Sequence, residues 1–141
     1  IQLSLAQMIP VSGAVFVTTP QKVALADVNK SINMFKLPGV EVNILGVVEN
    51  MAYFIPDDMP DKKYFIFGEN GGKELADNFK INLLGQVPLV QGVRKGGDEG
   101  TPISNDQNNP TAKAFKEIAQ NLAQQIAIKN ANFVSKTENI I

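Results

Sequence analysis

The sequence predicts an α/β domain built on a mainly parallel sheet with helices on both faces, and three observations predict it. Short continuous apolar runs, Ala14 to Val17 and Ile44 to Val48, read as strands covered on both sides. Between and after them lie stretches whose apolar residues recur at helical spacings. Strand, helix, strand in this order is a right-handed crossover unit, and repetition of that unit implies a parallel sheet in a layered α/β fold.

Each element can be justified in turn. "IQLSLAQMIP" places Ile1, Leu3, Leu5, Ala6, Met8 and Ile9 in a pattern that fits a short helix, yet it starts without Met and without a preceding cap, so it looks cut from something longer. "AVFV" at 14–17 is the first strand. A helix follows from Pro20, with Val23, Ala24, Ala26, Val28, Ile32 and Phe35 as its apolar positions, and ends near Lys36, before Pro38 and Gly39. "VEVNILGVVEN" at 40–50 is the second strand and closes on Glu49 and Asn50. After an irregular piece at 51–68, "NGGKELADNFK" reads as a helix and "INLLGQVP" as the third strand. From Pro110, Ala112, Phe115, Ile118, Ala119, Leu122 and Ile126 share one face opposite Gln and Lys, which predicts an amphipathic closing helix to about residue 128. The tail at 129–141 is polar, with few apolar anchors, and reads as disordered.

Composition narrows the function classes. A chain of 141 residues, 44% of them hydrophobic, is the size of one domain with a real core. Thirteen Lys and Arg against fourteen Asp and Glu leave a net charge of -1, which argues against a nucleic-acid partner. With neither Cys nor His, thiolate and imidazole metal sites and the usual nucleophilic dyads are excluded. No apolar run reaches the roughly 18 residues of a membrane span, so the chain reads as soluble and cytoplasmic, without a membrane partner.

In open α/β sheets ligands collect beyond the carboxyl ends of the strands. Here those ends read "VTTPQ" at 17–21, "VVENM" at 47–51 and "GQVPLV" at 85–90. Asn50 is the most suggestive residue among them, since an amide offers donor and acceptor together and suits the edge of a base. The competing reading is that Asn50 only turns the strand exit, as Asn commonly does, and that Pro20 and Pro88 only terminate strands. "GENGGKE" at 68–74 does not make a phosphate loop: Lys73 stands where the second glycine is needed and Glu74 follows it, so Gly71 and Gly72 read as a turn into a helix. The acids of "PDDMPDKK" lack the glycine of a calcium loop and are broken by two prolines, so they read as a solvated loop.

Taken together, "SGAVFVTTPQKVALADVNKSINMF", "VNILGVVENMAYF", "YFIFGENGG" and "LLGQVPLVQGVRKGGDEGTPI" resemble the carboxyl-terminal half of the Mrp/ApbC family, over about residues 1–128 in unbroken order. Those proteins are P-loop ATPases of the MinD/ParA type that carry iron-sulfur clusters. The resemblance implies a P-loop NTPase fold, ATP with magnesium in the full-length protein, a homodimer, and iron-sulfur apo-proteins as targets. It implies that Asn50 faces the adenine, that Pro88 and Leu89, in the segment after the third strand, lie along the same base, and that Gln21 sits near the nucleotide and the subunit interface. It assigns this chain no catalytic residue and no metal ligand.

Two departures qualify the match. The glycine-rich phosphate loop and the "GTGD" turn of the family are not in this chain, so residues 1–141 alone are expected not to hydrolyse ATP. Sheet strands lacking their neighbours are expected to expose an edge and apolar surface. Where family members commonly carry Cys-x-x-Cys after "ENMSYF", this chain reads "IPDDMPDKKYFIFG", and hard carboxylates match a cluster poorly, which puts cluster binding in question. The alternatives are a MinD/ParA-like positioning switch, disfavoured by a closing helix that is hardly basic, and a non-catalytic α/β signalling or binding domain, disfavoured by strand ends offering Thr18, Glu49 and Pro88 rather than a phosphorylatable Asp.

Overall fold

A computed structural model of the chain describes residues 2–40, 42–106 and 108–138; Ile1 of the first helical pattern and 139–141 of the polar tail lie outside the described residues. The elements run α1 (Gln2–Met8), β1 (Ala14–Thr18), α2 (Lys22–Phe35), β2 (Ile44–Phe54), α3 (Gly71–Phe79), β3 (Leu83–Leu89), α4 (Gln91–Glu99), a 3-10 turn at Ile103–Asn105, and α5 (Pro110–Glu138). The three strands are parallel and lie in the order β1-β2-β3.

Because β2 is central, its apolar run is covered on both faces, and Leu45 to Glu49 are all buried. Period-two alternation sends neighbouring residues to opposite layers. On one face Phe16, Val47, Ile32 and Leu75 form a core joined by Leu25, Val28 and Phe35 of α2 and Phe79 of α3. The Phe16 and Phe35 rings meet edge to face with centroids 5.6 Å apart. Both crossover helices lie on this face, as two successive right-handed connections moving in one direction require. On the other face Val48, Leu84 and Val87 pack with Val15 and with Ile118 and Leu122 of α5. Asn121 of α5 donates a 2.8 Å hydrogen bond to the Leu84 carbonyl, fixing the helix over β3.

Four sequence expectations are corrected. β2 does not close on Asn50 but continues to Phe54. Pro88 and Leu89 lie inside β3 rather than after it, which a proline tolerates because β3 is an edge strand. A helix not expected from the sequence, α4, follows β3. The closing helix runs past residue 128 to Glu138, so the described part of the polar tail extends α5 instead of being disordered.

Candidate functional site

Parallel strands bring their carboxyl ends to one rim, and the register shows which residues meet there. Thr18 of β1 stands level with Glu49 of β2, and Glu49 level with Gln86 of β3; Asn50 is paired with Val87. Asn50 therefore lies next to the segment that continues into Pro88 and Leu89. The ladder slips between Asn50 and Phe54, and Met51 adopts a left-handed φ of 54°. That turn takes the Met51 N–H out of the regular ladder, and the Asn50 Oδ1 accepts it at 2.9 Å. With its oxygen used locally, the half-buried Asn50 keeps Nδ2, which donates no hydrogen bond among the described residues.

Pro88 is fully buried and Leu89 half-buried, so of the two it is Leu89 that presents surface at the rim. The Leu89 carbonyl accepts the Ile55 N–H at 3.3 Å, which holds the end of β3 against the chain leaving β2. Gln21 is exposed, in extended conformation one residue before α2, and its Oε1 accepts from the Thr19 hydroxyl at 3.3 Å. The fold thus brings Asn50, Pro88 and Leu89 together, whereas Gln21 stands beyond the end of β1 and makes its side-chain contact with Thr19.

Glu49 has a role that spacing did not reveal. Its side chain is 0% exposed. Oε2 accepts the Gly72 N–H at the start of α3, and Oε1 accepts from Gln86 Nε2 at 2.7 Å. The pair Gly71 and Gly72 does turn the chain into a helix, through Asn70 at a left-handed φ of 60°. Position 72 needs glycine because a Cβ there would lie 2.8 Å from the Glu49 Cβ and 2.9 Å from Oε2. Between β2 and α3 the chain loops out and returns: Tyr64 bridges antiparallel to Phe54, Phe65 packs edge-on to Tyr53, and Lys63 Nζ lies 4.3 Å from the centre of the Tyr53 ring. The loop acids Asp57, Asp58 and Asp61 are exposed.

No group of three or more His, Cys, Asp or Glu converges among the described residues. The chain offers oxygen donors and no thiolate or imidazole, a set that does not fit an iron-sulfur cluster. A cavity of about 1030 Å³ lies apart from the rim, between α4, the 3-10 turn and the start of α5, lined by Val93, Ile103, Phe115 and Lys116 among others; none of Gln21, Asn50, Pro88 or Leu89 lines it. No helix among the described residues is long and apolar enough to cross a membrane.

The layered parallel sheet has the fold of part of a MinD/ParA-like P-loop NTPase. It is similar to the nucleotide-binding protein in complex with ADP from Archaeoglobus fulgidus, with a TM-score of 0.57 and 34% identity, covering 71% of this chain and 39% of that one. It shares the fold of the MinD cell division protein of Aquifex aeolicus, with a TM-score of 0.63 at 19% identity, covering 88% and 48%. The chain belongs to the ParA family described as NUBPL iron-transfer P-loop NTPase, whose model matches residues 1–123. It is 47% identical over 128 residues to the iron-sulfur cluster carrier protein of Synechocystis sp., covering 90% of this chain and 36% of that protein. It is 44% identical over 142 residues to the iron-sulfur cluster transfer protein NUBPL of Dictyostelium discoideum, covering 99% and 43%. The chain therefore spans less than half the length of these relatives.

Proposed function

We propose that the chain is the base-side part of an ATP-binding protein that carries iron-sulfur clusters to apo-proteins and works as a homodimer. Asn50 reads the adenine: its Nδ2 donates to a ring nitrogen while its oxygen stays on the Met51 N–H. Leu89 offers apolar surface to the ring, and Pro88 sets the direction in which β3 leaves the sheet. Gln21 lines the approach beyond β1. The observation that carries this reading is the pairing of Asn50 with Val87, which sets an amide donor with no partner among the described residues beside an apolar strand end, at the kind of rim where open α/β sheets collect ligands. The solved relative in complex with ADP supports it.

The phosphates and magnesium are gripped by residues of the complete protein outside this chain, whose sequence lacks the glycine-lysine phosphate loop and whose described carboxylates do not converge. Cluster transfer is supported by the carrier relatives alone. The cluster is cargo, and this chain's own oxygen donors are not what holds it. The test is Asn50→Ala in the complete protein, titrated with ATP in a calorimeter. Binding is expected to weaken by about 1–3 kcal/mol, the range for removing one partner of a buried polar contact. Affinity equal to that of the unsubstituted protein would overturn the reading.

A further inference from the structure

Glu49 is a fully buried acid, and among the described residues it is the one carboxyl group in the core. The ion pairs among the described residues are Lys30–Asp27 and Arg94–Asp98, so no cation accompanies Glu49 in the core. Burying an acid is costly unless its hydrogen bonds are made, and apolar side chains of similar volume often serve stability equally well. Its location gives a different reason for an acid. The pairing of β2 with β3 slips between Val47 and Val48 and again between Asn50 and Phe54, leaving three consecutive pairs, Val48 with Gly85, Glu49 with Gln86 and Asn50 with Val87, between two irregularities. Only these three pairs fix how the strands are matched at the rim, and a one-residue change in that match would send the Asn50 side chain to the opposite face. The hydrogen bond from Gln86 Nε2 to Glu49 Oε1 links the two strands in the middle of that short stretch. The other oxygen of the same carboxyl group takes the Gly72 N–H, so the point where the chain returns from the loop is fastened to the same register.

We propose that Glu49 and Gln86 are positioning residues for base recognition, holding β2 and β3 in the one register that pairs Asn50 with Val87, two residues before Leu89. The inference rests on the reading of Asn50 as the adenine-binding amide. Neither residue touches the base; they act through Asn50.

The test measures ADP and GDP binding to the complete protein by calorimetry. In Gln86→Glu two carboxyl groups face each other, and ADP affinity is expected to fall about tenfold or more, with the preference for ADP over GDP falling alongside it. In the double variant Glu49→Gln, Gln86→Glu the new amide at 49 can accept from Gly72 N–H and donate to the new carboxyl group at 86. This exchange is expected to restore both affinity and preference to within about threefold of the unsubstituted protein. If Gln86→Glu does not fold, Gln86→Met, which keeps the volume and removes the amide that bonds Glu49, is measured in its place and is expected to lower the same preference. Unsubstituted affinity and preference in the single variants, or failure of the double variant to restore them, overturns the inference. If Asn50→Ala binds ADP normally, the underlying reading fails and takes this one with it. If Asn50→Ala weakens binding and the Gln86 variants do not, only the positioning role falls.

Discussion

At position 72 the absence of a side chain matters as much as any side chain in the site. The Glu49 carboxyl group reaches the α3 backbone only because nothing projects from Gly72, and the space a methyl group would need is already filled. Gly72→Ala is therefore expected to force Glu49 or α3 to move and to destabilise the fold by about 1–3 kcal/mol, the usual cost of overpacking a closed site. Urea denaturation followed by circular dichroism measures it, and an unchanged midpoint would mean that α3 yields freely. Gly71 and Gly72 as a helix entry and Asn50 as a polar residue at the rim are legible in the sequence, because both are local signals. The role of Glu49 is not, because its partners lie 23 and 37 residues away along the chain. The bond from the Met51 N–H to the Asn50 oxygen is not legible either, since it depends on the left-handed turn at Met51.

At the scale of elements, the strands were legible wherever burial made them uniformly apolar, and the helices wherever one face packs. α4 has neither signal: Gly92, Gly96 and Gly97 lie within its nine residues, and none of its residues is buried. Glycine costs a helix interior about 1 kcal/mol relative to alanine, so α4 owes little to propensity. Two of these glycines differ in a way that can be tested. A Cβ at Gly97 would meet nothing within 4 Å, whereas one at Gly96 would lie 2.5 Å from the Thr101 carbonyl oxygen. Gly97→Ala is expected to stabilise α4 by about 0.5–1 kcal/mol through backbone entropy. Gly96→Ala, one residue away, is expected to destabilise by about 1–3 kcal/mol because the backbone oxygen of Thr101 cannot move aside as a side-chain tip could. Amide hydrogen exchange over Gln91–Glu99 resolves the two, and equal effects would show that α4 is not held against Thr101. The end of β2 and the length of α5 were misjudged for a related reason. A strand that continues past a slip, and a helix whose residues 128–132 are exposed, leave no change of period at the boundary.

At the scale of the whole molecule, the alternation of elements was enough to give the class of fold, and the sheet edge decides how the chain behaves on its own. α2 and α3 cover one face, but on the other α5 packs over β3 and β2 and reaches β1 no further than the cluster containing Val15. Val17, two residues on and directed to the same face, is 58% exposed, and β1 pairs with β2 alone among the described strands. The preceding segment adds the exposed apolar side chains of Leu5, Met8, Ile9 and Val11. An open strand edge beside exposed apolar surface is a template for association. The relatives are more than twice as long as the stretch they share with this chain, so they have further residues with which to cover the corresponding edge. The 141-residue chain prepared alone is therefore expected to self-associate as its concentration rises, with sedimentation coefficients increasing across the series. Val17→Lys places a charge on the exposed position next to the edge, where lysine discourages strand pairing, and is expected to shift the chain toward the monomer without loss of helical signal. If the unsubstituted chain sediments as a monomer at every concentration, β1 is not a sticky edge, and the exposed Val17 is an ordinary surface valine.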